Sequence, residues 1–363
     1  FRVDHTNLPI YQPTNLPIYQ PTNPLTYQST MSQSTKFLIA GLGSIGRRHM
    51  RNLIALGEKD IVLYRTRKAT MPEEDLAGFP LETDLHVALE KHKPDAVIVS
   101  NPTAYHLGVA IPAAEAGCSL LLEKPLSHSM DRIDELESAL AQGGGRVVVG
   151  FQFRFHPGLI KAKQLISDGE IGRVISAHVH FGEYLPAWHP WEDYRKGYAA
   201  RADMGGGVVL TQCHALDYLP WLVGKVDTVW GFTAKLSDLE VDVEDTAKVG
   251  LRFENGALGS IHLDYNQQPP AHYFEVVGAK GSLQWNLSDG ATRIYQAGEK
   301  AWDVYPPPPE FERNVMFMDE MRHFISVARG EVESSCPLED GIKAQRLISA
   351  IQASSNSGVR IKL

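Results

Sequence analysis

Short runs made wholly of apolar residues constrain this chain more than any other feature: FLIA from Phe37, IVLY from Ile61, AVIV from Ala96, LLL from Leu120 and VVV from Val147. A strand that is apolar on both faces has to be covered on both, unlike the alternating strand of a sheet with one wet side. The segments between these runs, SIGRRHMRNLIALG, TDLHVALEKH, YHLGVAIPAAEAG and MDRIDELESALAQ, carry helical patterning. Apolar strands alternating with helices predict an α/β unit: a doubly wound parallel sheet over residues 36–153.

Past Arg154 the texture changes. After a helix around GLIKAKQLISDG come half-apolar strands at VISAHVHFGEY, DTVWGFTAKL, DTAKVGLRFENGALGSIHLDY, HYFEVVGAKGSLQWNL and TRIYQAG. The turns ENGA and AKGS join neighbours as antiparallel hairpins do. A C-terminal α+β domain with an open, mostly antiparallel sheet is expected over 154–363, completed by helices at MFMDEMRHFISVARG and LEDGIKAQRLISAIQASS. In front of both domains, NLPIYQPT occurs twice in succession and NPLTYQST follows, within a low-complexity extension over 1–35. Its recurring prolines forbid a helix and its few apolar groups cannot offset the entropy of ordering, so a mobile segment without a catalytic role is expected there.

The formal net charge of −8, with no sustained basic run, argues against nucleic-acid and membrane-surface partners and for a small molecule. Cys118, Cys213 and Cys336 are too few and too scattered for a disulfide framework or a zinc motif. No metal is expected, and the cysteine usage suits a reducing cytoplasm. No apolar run approaches the roughly 18 to 20 residues that cross a bilayer, so a cytoplasmic protein is expected.

Gly41, Gly43 and Gly46 form G-x-G-x-x-G between the first strand and the first helix, the context in which this spacing binds a dinucleotide. The first glycine permits the turn, the second lets the backbone approach a pyrophosphate, and the third lets helix and strand pack closely. Amides at the helix start, around Ser44 and Ile45, are then the phosphate donors. An acid usually ends the second strand to hold the ribose hydroxyls, but here the strand runs into Arg65, Thr66, Arg67 and Lys68. Arg65 and Arg67 suit a 2′-phosphate, so NADP is the preferred cofactor and NAD the alternative. Solvated loop charges, with specificity set elsewhere, are the competing reading.

The ordered set GLGSIGRRH, SNPTAYH, LLEKPLS and GGGVVLTQCHALDYLPWL resembles the Gfo/Idh/MocA family of nicotinamide-dependent oxidoreductases, over about residues 36–363. The resemblance implies that Lys124, in Glu123-Lys124-Pro125, lies near the nicotinamide and the substrate carbon and is the leading catalytic residue. An ammonium there can hydrogen-bond a substrate oxygen and stabilise developing oxyanion charge. Glu123 is expected to support Lys124 or the cofactor, with a solvated strand-end charge as the alternative. A cis Lys124-Pro125 bond is open.

By the same resemblance His214 is an acid/base or substrate-binding group, with Asp217 one turn on as a group to orient its ring. The family commonly has an aspartate shortly before this histidine. Thr211 stands three residues before it here and cannot be an anionic partner, which leaves a two-residue proton relay in doubt. Asn101, Pro102, Thr103 and His106 fall at the family's nicotinamide-side loop, with a structural role open for His106.

The loop Tyr184, Trp188, His189 and Trp191 mixes aromatic and polar groups as sugar-binding surfaces do, or as subunit interfaces do. Arg154 can reach a substrate acid, or pair in the core or hinge. Together these make Arg154, Tyr184, Trp188, His189, Trp191, Thr211 and His214 the candidate substrate-binding set. The expected activity is hydride transfer between nicotinamide and a hydroxyl or carbonyl carbon of a sugar or sugar derivative. A nucleotide-binding sensor and a redox-neutral sugar enzyme with tightly held cofactor are the alternatives. A homodimer or homotetramer is implied by resemblance alone.

Overall fold

The structure, a computed structural model, describes residues 34–66, 76 and 78–363. The octet repeats and Arg67 lie outside the described residues.

The first domain runs β1 (Phe37–Ala40), α1 (Ser44–Ala55), β2 (Ile61–Tyr64), β3 (Leu81–Glu82), α2 (Leu85–His92), β4 (Ala96–Val99), α3 (His106–Glu115), β5 (Ser119–Glu123), α4 (Ile133–Gly143) and β6 (Val147–Gly150). Its strands lie in the order β3-β2-β1-β4-β5-β6, every pair parallel. The order reverses between β1 and β4, and the crevice outside their carboxyl ends is where open α/β sheets bind ligands. Each apolar run of the sequence is one of these strands, and β1, β4, β5 and β6 are buried throughout.

The second domain begins with α5 (Pro157–Ser167), β7 (Val174–Gly182), α6 (Val208–Thr211) and α7 (His214–Val223). There follow β8 (Val226–Ala234), β9 (Thr246–Phe253), β10 (Leu258–Asp264), β11 (Ala271–Gly278), β12 (Gly281–Asn286), β13 (Thr292–Gln296), β14 (Asp303–Tyr305), α8 (Arg313–Ala328), α9 (Leu338–Ser357) and β15 (Ile361–Lys362). The sheet order is β14-β13-β12-β11-β7-β10-β9-β8-β15, antiparallel except for the parallel pair of β7 with β10.

One face of this sheet packs on α5, α7 and α9. Its core joins aromatic rings to buried histidines: Phe153 lies 5.0 Å from His272, and His156 5.0 Å from Trp285. His272 stacks on Phe181 at 3.9 Å and hydrogen-bonds the Tyr218 hydroxyl at 3.0 Å.

Helix α8 departs from expectation. The sequence places it with the second domain, but it packs against α1, β5 and β6. Met321, Phe324, Ile325 and Val327 join Phe37, Ile39, Leu63, Ile98, Leu121 and Val148 in one apolar cluster with Met50 and Leu53 of α1. The other face of the first sheet is covered by α3 and α4 through Leu107, Ala110, Ile133 and Leu136. One covering helix of the first domain is therefore supplied by the C-terminal part of the chain. Helical periodicity reveals an apolar stripe but not the surface that will bury it.

Candidate active site

The turn after β1 is shaped by backbone crowding. Gly41 has φ +98, and a Cβ there would stand 2.5 Å from the Asn101 nitrogen. A Cβ on Gly46 would lie 1.9 Å from the Gly41 carbonyl oxygen, whereas one on Gly43 would meet nothing within 4 Å. The first and third glycines are thus demanded by packing, and the second leaves open space at the start of α1. Among the described residues no side chain caps that helix start, so its first amides, around Ser44 and Ile45, are suited to an anion. The Ser100 hydroxyl bonds the carbonyls of Ala40 (3.1 Å) and Gly41 (2.9 Å), locking this turn to the end of β4.

Beside it, Asn101 donates through Nδ2 to the Tyr105 carbonyl at 3.0 Å. Pro102 precedes a short 3-10 turn that Thr103 opens, and Thr103 is buried. Both ring nitrogens of His106 face carbonyl oxygens, those of Pro125 and Asn101, each at 2.9 Å. His106 therefore staples the Asn101 loop to the strand end carrying Lys124, with its ring turned to backbone. Arg65 follows β2 and is buried.

Glu123 ends β5 as a buried side chain, and His49 Nε2 donates to it at 2.8 Å. Burial works against its charge, but the His49 hydrogen bond, with the fields of His49, Lys124 and His106, holds the carboxyl below its ordinary range. The solvated strand-end reading of Glu123 is thus replaced by a buried carboxylate hydrogen-bonded to His49. The next peptide, Lys124-Pro125, is cis.

Lys124 donates to the Thr211 carbonyl at 3.0 Å, leaving two ammonium hydrogens for other acceptors. Burial disfavours its charge, yet Tyr198, Cys213 and Glu123 outweigh that and keep it above its ordinary value. Burial raises the Tyr198 phenol and pushes the Cys213 thiol to about 12. Glu123 is therefore the anion that holds the ammonium at neutral pH.

His214 opens α7 and is buried. Gln152 Nε2 lies 3.1 Å from its Nε2, and its Nδ1 has no hydrogen-bond partner. Burial first, then the charge of Lys124, drives its pKa well below the ordinary value. It stands as a neutral imidazole.

Asp217 does not orient that ring. It takes two hydrogen bonds from Arg154, at 3.0 and 2.6 Å, and Arg154 also donates to Asp340 at 2.8 Å and to the Ser335 carbonyl at 3.0 Å. Arg154 therefore takes the core-pairing course rather than presenting its guanidinium to the cleft. The Thr211 hydroxyl is also used internally, donating to the Gly207 carbonyl at 2.9 Å and touching the Tyr265 hydroxyl. Thr211 meets Lys124 through its backbone.

The aromatic loop is split. Tyr184 and Trp188 pack on the core, Trp188 with its ring edge on Tyr265 at 5.5 Å. His189 lies 5.4 Å from Trp191, which is 72% exposed.

Several groups in the cleft escape sequence reasoning. Glu183 follows β7 and is half-buried; burial raises its carboxyl against the opposing pull of Arg313 and Lys124. Arg313 starts α8, Tyr198 neighbours Lys124 and Gln152 holds His214. None carries a motif, because elements far apart in sequence assemble the cleft. Among the described residues one group could hold a metal ion: His180, His262 and Asp264, on β7 and β10. There Asp264 accepts from His262 at 2.8 Å and His180 stacks on Tyr273 at 5.3 Å. No helix of the described residues is long and apolar enough to cross a membrane.

Residues 35–151 match the model of an oxidoreductase family with an NAD-binding Rossmann fold, and residues 159–284 match the GFO/IDH/MocA C-terminal domain. A myo-inositol 2-dehydrogenase from Thermotoga maritima is 30% identical over 68% of this chain and 73% of its own length. A D-xylose 1-dehydrogenase (NADP(+)) from Haloferax volcanii is 24% identical over 90% of this chain and 99% of its own. Among solved structures, the WlbA dehydrogenase from Bordetella pertussis, in complex with NADH and UDP-GlcNAcA, superposes with a TM-score of 0.77 at 26% identity, covering 91% of this chain and 99% of that one.

Proposed function

This chain belongs to the Gfo/Idh/MocA family of NAD-binding oxidoreductases, and we propose that it transfers hydride between a nicotinamide cofactor and a hydroxyl or carbonyl carbon of a sugar or sugar derivative. The observation that carries this reading is Lys124: a charged ammonium beyond the carboxyl end of a parallel sheet, with one hydrogen tied to Thr211 and the others available. The named relatives act on a cyclic polyol and a pentose, which supports a polyhydroxylated substrate.

The uncapped start of α1 and the open space at Gly43 fit a dinucleotide pyrophosphate, held by the first amides of that helix. The cofactor supplies the hydride acceptor or donor. The chain's own residues then orient the sugar and manage its proton. Lys124, charged and held by Glu123, suits donation of a hydrogen bond and then a proton to a carbonyl oxygen as alkoxide character develops. His214, neutral beside that charge, suits a hydrogen bond to a neighbouring hydroxyl. In the opposite direction the same imidazole is the neutral base beside the reacting hydroxyl. Asn101, Pro102 and Thr103 line the nicotinamide side of this arrangement, and Tyr184, Trp188, His189 and Trp191 the sugar side.

For the cofactor we favour NADP over NAD. No acid ends β2, and Arg65 stands there with Arg67 two residues on. Equilibrium titration with NADPH and NADH tests this: Arg65→Ala is expected to weaken NADPH at least about 10-fold relative to NADH, and unchanged NADPH affinity rejects it. A carbonyl-sugar and polyol turnover screen tests the chemistry. Lys124→Ala is expected to lower kcat/KM about 100- to 10,000-fold with NADPH still bound. Equal turnover by the variant refutes the role of Lys124, and cofactor binding without turnover on any sugar refutes the enzymatic reading.

A further inference from the structure

The open face of the second sheet carries a side-chain cluster that hydride transfer leaves unused. Along β7, Ala177, Val179 and Phe181 are buried in the core, so His178 and His180 point to the other side. Strand β10 runs parallel beside it, with His180 opposite His262 and Gly182 opposite Asp264. Residues two apart share a face, so these positions form one square, and all but the glycine bear a side chain able to bind a metal. One donor atom from each of His180, His262 and Asp264 lies within 4.8 Å of the other two.

The glycine opens the square. A Cβ on Gly182 would stand 2.4 Å from Asp264 Oδ2 and 2.5 Å from the Gln267 Cβ, so the carboxylate and Gln267 occupy the space a side chain would take. Asp264 Oδ1 accepts from the amides of Asn266 at 2.7 Å and Gln267 at 2.6 Å. Its Oδ2 is left to the cluster, 2.8 Å from His262 Nε2. His180 stacks on Tyr273 with ring centroids 5.3 Å apart and an interplanar angle of 3°, and its ring lies 4.6 Å from that of His262. Gln267 Oε1, 3.3 Å from His180 Nε2, offers a fourth donor. His180 and Asp264 are thus each oriented by a second contact, as metal ligands are. Lys248, opposite His262 on β9, is exposed and keeps its ammonium in water.

We propose that His180, His262 and Asp264 bind a first-row divalent transition-metal ion, zinc in the first instance, with Gln267 or water completing a four-coordinate shell. Two imidazoles and a carboxylate suit zinc, cobalt, iron(II) or manganese, whereas magnesium and calcium take oxygen shells. Bonds of about 2.0 to 2.2 Å in a tetrahedron put ligand atoms about 3.3 to 3.6 Å apart. The separations here, 2.8 Å at the near pair and at most 4.8 Å overall, bracket that range, so side-chain rotation closes the shell. The metal takes the place of the proton that His262 and Asp264 share. A bare His262–Asp264 hydrogen bond gives His180 no part in the cluster.

The ion is a structural one. It sits across the sheet from buried Phe181 and Leu263, where it clamps β7 to β10. Just beyond it these strands run into Glu183, whose amide donates to the Asp264 carbonyl at 3.1 Å, and Tyr265, whose carbonyl accepts from Leu185 at 3.0 Å.

The test uses the full chain, stripped with a chelator and dialysed into metal-free buffer. Titration with zinc chloride against a chromophoric chelator is expected to show one tight equivalent per chain, with a dissociation constant of about 1 μM or below. Cobalt(II) in its place should give the visible d–d bands of a four-coordinate site, and magnesium should displace neither. Zinc at about 100 times its dissociation constant should raise the unfolding temperature by about 4 to 8 °C. His180→Gln and His262→Gln should each weaken zinc at least about 100-fold, whereas His178→Gln, on the same face of β7, should leave it unchanged. Circular dichroism checks that each variant is folded. Zinc-dependent protection of His180 and His262 from diethyl pyrocarbonate, mapped by mass spectrometry, reads the same site in the unaltered chain. No binding of zinc or cobalt below about 100 μM overturns the inference. Binding that survives both substitutions, an equal loss in His178→Gln, or protection that maps to other histidines does so too.

Discussion

Replacing His272 by Phe should flatten the acid sensitivity of the second domain by a predictable amount. His272 is almost fully buried, stacked on Phe181 and within the rings of Phe153 and Trp285. Burial, then the fields of His156, His180 and Arg313, lowers its pKa from 6.5 to about 3. In the unfolded chain the ring returns to its ordinary value, so between those two pKa values the unfolded state binds the extra proton. Stability from the neutral buried ring is complete above about pH 6.5 and is lost as pH falls toward about 3.

Between about pH 8 and pH 5 the loss is about 2 kcal/mol for this one histidine, at about 1.4 kcal/mol for each unit below the unfolded pKa. His156, lowered from 6.5 to about 4 by burial, adds a similar amount. Phe keeps the stack but leaves the Tyr218 hydroxyl unpaired, at a cost of about 1 to 3 kcal/mol at every pH. The quantity to read is therefore a difference of differences. Urea unfolding followed by tryptophan fluorescence, with Trp285 reporting from inside the cluster, gives the stability of each protein at both pH values. The wild-type loss should exceed the His272→Phe loss by about 2 kcal/mol. Equal losses would show that His272 takes up no proton on unfolding in this range and refute the reasoning.

Asp217→Ala leaves the Arg154 guanidinium buried with Asp340 as its remaining carboxylate, so thermal unfolding should report about 3 to 5 kcal/mol of destabilisation; under about 1 kcal/mol contradicts a buried pair. Phe324→Ala empties a site against Phe37, 6.3 Å away, and should cost about 3 to 5 kcal/mol. Its signature is faster amide exchange in β1 and β2; exchange confined to the second domain would mean that α8 does not cover the first sheet. Gly46→Ala drives a methyl into the Gly41 carbonyl, so NADPH affinity should fall at least about 10-fold, and unchanged affinity removes this turn from the cofactor site.

Local pattern alone determined a good part of this protein. Runs apolar at every position could only be strands covered on both faces, and β1, β4, β5 and β6 are buried throughout. The glycine spacing was legible because Gly41 and Gly46 answer to backbone sterics within one turn. Lys124 was legible because it sits directly at a strand end.

Partners between distant elements were not legible. An apolar stripe on α8 names no surface, and only assembly decided that it covers the first sheet. Asp217 is one turn from His214 along the helix, but its carboxylate meets Arg154, 63 residues away, because a buried guanidinium needs a compensating charge more than an imidazole needs a second partner. Thr211 cannot replace an acid through its side chain, and the fold instead turns its carbonyl to Lys124. Glu183, Tyr198 and Arg313 join the site from three separate stretches, since side-chain fields act through space while sequence patterns record only neighbours along the chain.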